Sequence, residues 1–137
     1  MYMKVKLGRR SKINLCNNLD YRLVHLVCQS IYEFDFPCDW GVFETKRTLE
    51  KQKENVRKGV SKTLNSKHIP DSIGIVKAVD IVPYIDGKYV WDKEKLGIII
   101  NKIKSLGEKL YPSTFEYGMD WGWDYPHIQI KSGKEIK

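Results

Sequence analysis

The chain has 137 residues, with 24 lysines and arginines against 17 acids for a net charge of +7, and three cysteines. That length sets one domain with a modest core as the expectation. The charge favours an anionic partner such as nucleic acid, an acidic membrane surface or the bacterial wall, while the odd, unpaired cysteine spacing excludes a disulfide framework and a zinc finger.

Cys16, Cys28 and Cys38 are expected to be reduced and mostly buried. The basic N-terminal stretch has no apolar core of roughly 7–15 residues before a cleavage site, and no later run approaches about 18 apolar residues, so a soluble product without its own export signal is expected. Met1 to Lys12 carries five basic side chains and no acid, which reads as a solvated arm. From Asn18 onward Leu19, Leu23, Val24, Leu26, Val27 and Ile31 recur at helical spacing, with Asn17 or Asn18 placed to cap a first helix. His25 sits among these apolar neighbours and reads as structural.

Pro37 and Asp39 break that period. WGVFET at 40–45 then reads as a short strand leading to Arg47, and TLEKQKENVRKG as a polar helix ending near Gly59. The stretch VSKTLNSKHIPDSIG has turn formers and no period, so it is expected to be a loop, where functional groups concentrate. IVKAVDIVPY is a β-branched run closed by Pro83 and followed by an Asp86-Gly87 hairpin signal; alternation places Ala78, Asp80 and Val82 on one face. Asp92 to Tyr111 gives the clearest helix, with Leu96, Ile99, Ile103, Leu106 and Leu110 as its apolar stripe. The remainder, STFEYGMDWGWDYPHIQI, reads as a strand, an aromatic loop and a last strand at His127 to Ile130.

Three residues stand out together: His68 in the central loop, Asp80 inside an apolar strand and His127 at the start of the last one. A carboxylate facing a sheet interior is costly unless it is paired. Arginine or backbone donors would satisfy it, and so would a divalent metal, since two imidazoles and a carboxylate leave a fourth position open as in catalytic zinc. Such an ion lowers the pKa of a coordinated water to about 7 and polarises a carbonyl. Asp124, three residues before His127, would then be placed to shuttle a proton.

KRTLEKQ at 46–52, SKHIP…KAVDIVPYIDGK at 66–88 and YGMDWGWDYPHIQI at 117–130 resemble the zinc peptidases of the D-alanyl-D-alanine carboxypeptidase and VanY-like family, closest to its phage endolysin branch, the L-alanyl-D-glutamate peptidases. LGRRSKINL…NNLDYRLVHLV near the N-terminus is similar to the opening of those lysins, so the resemblance covers nearly the whole chain. It implies an α+β fold, a small antiparallel sheet flanked by helices as in VanY-type enzymes and the Hedgehog signalling domain, with residues 1–137 as a single zinc peptidase domain. It also implies His68, Asp80 and His127 as Zn²⁺ ligands, Asp124 as catalytic acid/base, Arg47 as a fixed cation near the substrate carbonyl or carboxylate, and Ser66 as a hydroxyl that orients substrate or the loop. One departure stands out. The family usually places six residues, one a glycine, between the first His and the Asp; here eleven intervene, so five are expected to loop out and leave both ligands in place.

The function so implied is hydrolysis of a peptidoglycan stem peptide at the L-alanyl-D-glutamate bond by a monomeric phage endolysin. It would wait in the host cytoplasm and act in the periplasm or wall, with no nucleic acid and no membrane insertion involved. A D-alanyl-D-alanine carboxypeptidase is the nearest rival. A rival from another class is a basic nucleic-acid-binding module that stacks bases on its Trp and Tyr rings, which no helix-turn-helix, RNP or zinc-finger signature supports. Trp121 and Trp123 read either as packing and rim residues or as stacking groups for substrate.

Overall fold

The computed structural model describes residues 1–61, 63 and 65–136. Its helices are α1 (Arg9–Leu15), α2 (Tyr21–Glu33), α3 (Leu49–Arg57) and α4 (Lys93–Leu110), and its strands β1 (Trp40–Glu44), β2 (Ala78–Ile85), β3 (Lys88–Tyr89), β4 (Phe115–Tyr117) and β5 (His127–Ile130). The strands form one sheet in the order β1-β2-β5-β4, with β3 folded back on β2, and every pairing is antiparallel. This is the α+β architecture expected from the sequence.

The apolar periods decide which surfaces meet. Leu23, Leu26 and Val27 of α2 and Ile99, Ile100 and Ile103 of α4 are fully buried. They join Val79, Ile81, Ile128 and Ile130 in one hydrophobic cluster. Each such side chain withdrawn from water contributes about 1.5–3 kcal/mol, so this layer supplies most of the drive to fold. Because successive strand residues point to opposite faces, the residues between them, Asp80 on β2 and His127 and Gln129 on β5, are turned away from that cluster. Asp92 caps α4 by accepting from the Lys95 N–H at 3.0 Å, and Thr48 caps α3 by accepting from Lys51 at 3.0 Å. No helix among the described residues is long and apolar enough to cross a membrane.

Four local expectations change. The basic N-terminal segment is not a solvated arm: Met3 bridges Phe36, Val5 is buried, and α1 lies along the free edge of β1. There Ser11 Oγ accepts from Val42 N–H at 2.8 Å, Asn14 donates to the Val42 carbonyl at 2.8 Å and Arg10 to the Phe43 carbonyl at 2.8 Å. Side chains thus satisfy the backbone groups of an edge strand that would otherwise be open to pairing with another chain. The helix after it is capped by Asp20, whose carboxylate is completely buried and accepts from Arg22 N–H and guanidinium; Asn18 instead turns the chain at φ 59°. β2 runs past Pro83 to Ile85, and the Asp86-Gly87 turn, with both residues at positive φ, leads into β3. Of the cysteines, Cys38 is buried while Cys16 and Cys28 are exposed, and all three are free thiols.

Candidate metal centre

Strand register builds the first half of the site. Asp80 on β2 pairs directly with His127 on β5, so their side chains leave the sheet side by side, and His127 Nδ1 lies 3.1 Å from Asp80 Oδ1. The central loop supplies the rest: His68 Nε2 approaches the same oxygen at 3.2 Å. One ligand atom from each of the three lies within 4.8 Å of the others. His68 and His127 are buried, and the eleven residues between His68 and Asp80 are absorbed by a turn that Asp71 staples, its carboxylate accepting from Ile73 and Ile75 N–H at 3.1 and 3.0 Å. Gly74 occupies the left-handed region of that turn at φ 87°.

The far side of each imidazole is already committed. His68 Nδ1 donates to the buried Thr45 carbonyl at 2.7 Å. His127 Nε2 meets Gln129 Oε1 at 2.8 Å, and the Gln129 amide is oriented by its other end, where Nε2 donates to the Glu116 carboxylate at 3.0 Å. A carboxylate only accepts, so the oxygen of Gln129 faces the histidine and the ring proton sits on Nε2. The nitrogens turned toward Asp80 are therefore the ones left free to bind a cation, and three acceptor atoms converge on one point. Two imidazoles, one carboxylate and an oriented outer hydrogen bond on each ring make a donor set that suits a divalent metal.

The electrostatics show the same demand for positive charge beside Asp80, which a proton on His127 meets when no cation is bound. Burial by itself would raise the Asp80 pKa, but His68 and His127 outweigh it and hold the carboxyl far below its usual range. Burial opposes the charged form of His127, yet its hydrogen bond to Asp80 and that negative charge leave its pKa above the usual value. Asp124 behaves oppositely: burial pushes its pKa up, and the charge of Asp80 adds to this against the pull of His127, His68 and Arg47. Its Oδ2 lies 3.9 Å from His127 Nδ1, beside the cluster rather than in it.

Asp124 reaches this position through a tight loop. Gly118 opens the 3₁₀ turn Gly118–Trp121 and presses its backbone against the carbonyl of Asp124, where an added Cβ would stand 2.0 Å away. That carbonyl in turn accepts from His127 N–H at 3.1 Å, which ties the loop to the start of β5. The Trp121 ring packs on the His127 ring at 5.6 Å and on Trp123 at 5.9 Å.

Arg47 is present but not free. Its guanidinium pairs with Glu44 and donates to Gln52 Oε1 at 2.6 Å, and its backbone N–H donates to the His68 carbonyl at 2.8 Å. Gln52 is fully buried and is itself held by Ser61 at 2.8 Å. Ser66 Oγ accepts from His68 N–H at 3.2 Å, so its visible task is to close the turn that carries the histidine. His25 is exposed and shares a 2.7 Å hydrogen bond with Tyr111, far from this chemistry in the fold. Sequence reasoning missed Glu44, Gln52, Gln129 and Glu116. Only Gln129 carried a signal, because it follows His127 by two residues on a strand and so shares its face. Glu44 is aimed here by an irregularity in the β1–β2 register between Val42 and Glu44.

Comparison with known proteins adds a common theme. Residues 3–133 match the sequence model of the family described as phage L-alanyl-D-glutamate peptidase. The chain is 38% identical over 96 residues to the L-alanyl-D-glutamate peptidase of Listeria phage A118, across 65% of this chain and 29% of that protein. It is 31% identical over 103 residues to the L-alanyl-D-glutamate peptidase of Escherichia phage T5, across 71% of this chain and 70% of that one. The chain thus spans under a third of the A118 relative. The crystal structure of the Serratia marcescens L-Ala D-Glu endopeptidase ChiX superposes with a TM-score of 0.75 at 26% identity, covering 92% of this chain and 90% of that one.

Proposed function

Since the chain belongs to the phage L-alanyl-D-glutamate peptidase family, we propose that it is a zinc-dependent hydrolase of peptidoglycan stem peptides that cuts the L-alanyl-D-glutamate amide, as a phage lysin whose one catalytic domain spans 1–137. The observation that carries this reading is the His68–Asp80–His127 cluster with both outer ring nitrogens already hydrogen-bonded, next to a carboxyl whose pKa is raised.

His68, Asp80 and His127 would hold Zn²⁺. When bound, the ion supplies Lewis acidity, which polarises the amide carbonyl and acidifies water. Asp124 takes up a proton from the attacking water and returns it to the leaving amine; a carboxyl raised above its usual pKa is suited to both halves of that transfer. Arg47, fixed by Glu44 and Gln52, offers a pre-oriented cation toward the acyl oxygen or a substrate carboxylate, which lowers the cost of reorganisation during reaction. Ser66 holds the His68 turn. The net charge of +7 favours approach to an anionic wall.

The test is mass spectrometry of fragments released from purified peptidoglycan by zinc-loaded protein, with a chelated control. Soluble stem peptides that begin at D-glutamate, with L-alanine left on the glycan, are expected only with zinc. Loss of a terminal D-alanine alone would make it a carboxypeptidase. Release of nothing from any wall type would remove the hydrolase reading.

A further inference from the structure

Beside the catalytic turn lies an aromatic cleft that the chemistry above does not use. Trp91, Leu96, Trp123, Tyr125 and Pro126 line it, around about 180 Å³. Trp91 is 57% exposed and Trp123 73%. Leaving two of the largest apolar side chains exposed in one cleft is unfavourable unless something else covers them. Trp91 is also braced: it packs edge-on against Phe43 at 4.9 Å, and Phe43 is packed in turn by Tyr89 at 5.1 Å and by the Arg10 guanidinium at 4.2 Å. Rigid aromatic faces of this kind bind ligands at little entropic cost.

The cleft opens, across Lys93 and Tyr125, into a wider depression of about 590 Å³ along α4, where Glu94, Asn101 and Met119 contribute to the lining. The Lys93 ammonium lies 5.0 Å over the Tyr125 ring, between the two. Gly97 lines the same depression in the middle of α4, where glycine weakens a helix. An added Cβ there would meet nothing within 4 Å, so no packing requirement explains the residue. What glycine does provide at that point is an open floor.

We propose that this cleft and depression bind the N-acetylated amino-sugar chain that carries the stem peptide. The inference rests on the peptidase reading: in peptidoglycan the L-alanine of the scissile bond is joined directly to a sugar. The sugar must therefore lie about one residue's span, roughly 3.5 Å plus its own linkage, from the cut amide. Trp123 and Tyr125, which line the cleft, flank Asp124 in the chain, and Pro126 of its lining precedes His127, so the cleft wall and the catalytic turn are one continuous segment. Its chemistry matches as well. Sugar rings present apolar C–H faces that stack on indoles, with hydroxyl and acetamido groups at their edges for Lys93, Glu94 and Asn101. A ring-by-ring path, Trp123 to Trp121 at 5.9 Å and Trp121 to His127 at 5.6 Å, joins the cleft to the metal centre.

The probe is N-acetylglucosaminyl-N-acetylmuramyl-L-alanine, which lacks the scissile amide, so binding is read without hydrolysis. In ¹⁵N-labelled full-length protein the indole N–H signals of Trp91 and Trp123 should shift saturably, while that of buried Trp40 stays still. Trp91→Ala and Gly97→Leu should each weaken binding about tenfold, the effect of losing about 1.4 kcal/mol. Gly97→Leu should melt no lower than the parent, which separates a blocked floor from a damaged fold. Shifts absent at Trp91, unchanged affinity in both variants, or equal shifts with a sugar-free stem peptide would overturn the assignment. Should wall digestion fail while the disaccharide still binds, the sugar site stands and the hydrolase reading falls; the reverse outcome removes only the sugar site.

Discussion

Gly118→Ala gives a sharp test of how Asp124 is positioned. An alanine Cβ at 118 would stand 2.0 Å from the Asp124 carbonyl oxygen, where ordinary contact begins at 3.4 Å, so the two backbones must separate by about 1.4 Å. Neither side can yield by rotating a side chain, because the obstacle is main chain. The displaced carbonyl also holds the His127 N–H at 3.1 Å, so the movement falls on the Asp124–His127 segment. A shift of about 1 Å at a reacting group costs about 100-fold in rate, and overpacking costs about 1–3 kcal/mol in stability. At about 4 °C per kcal/mol for a chain of this size, the melting temperature should fall by about 4–12 °C. The assay pairs kcat on a soluble stem-peptide substrate with a thermal melt and a zinc determination on the same sample. Because His127 is also held by the pairing of β5 with β2, which keeps it opposite Asp80, zinc should stay near one per chain while kcat drops. Activity within twofold of the parent would refute the idea that this close approach sets the position of Asp124.

Removal of Asp124 itself, as Asp124→Ala, should abolish hydrolysis with zinc retained; loss of metal in that variant would place Asp124 among the ligands. His127→Ala should lose both, and unchanged zinc stoichiometry by plasma mass spectrometry would take His127 out of the centre. Gln129→Leu leaves the His127 Nε2 proton without its acceptor, so zinc affinity measured by chelator competition should fall about 10–100-fold, and parental affinity would show that the glutamine does not orient the ring. Metal-free protein should have its stability maximum in mild acid. His127, with its pKa raised, adds stability that is complete below its ordinary value of 6.5 and is lost as pH rises through the raised value; Asp80, with its pKa lowered, adds stability present above 3.8 and lost on acidification. Chemical denaturation of the chelated protein against pH checks this, and a stability that rises steadily from pH 6 to pH 8 would contradict it.

The parts of this molecule that were readable in advance are those in which a residue violates its surroundings. Asp80 is a charge in an apolar strand, and His68 and His127 are two of only three histidines, so each asks for an explanation from sequence alone. The core was legible for the complementary reason, since Leu96, Ile99, Ile103 and Leu106 repeat at the period of the helix that buries them. Glu44, Gln52 and Glu116 violate nothing. Gln52 sits among polar neighbours, and Glu44 and Glu116 follow apolar strand residues as any outward-facing acid does; the role of each comes from a register irregularity, a buried loop contact or a cross-strand pair that no local pattern encodes. The N-terminal segment was misread on the same principle: Ser11 and Val42 are 31 residues apart, and what α1 recognises is a row of backbone groups, which composition does not record. Core and chemistry nonetheless share one device. On β2 and β5 the odd-even alternation that buries Val79, Ile81, Ile128 and Ile130 is what turns Asp80, His127 and Gln129 to the other face. A one-residue slip of either strand would put the carboxylate into the apolar layer and the isoleucines into the metal centre, at a cost of several kcal/mol per misplaced group. The hydrophobic core therefore enforces the register of the candidate site, which needs no separate mechanism to align Asp80 with His127.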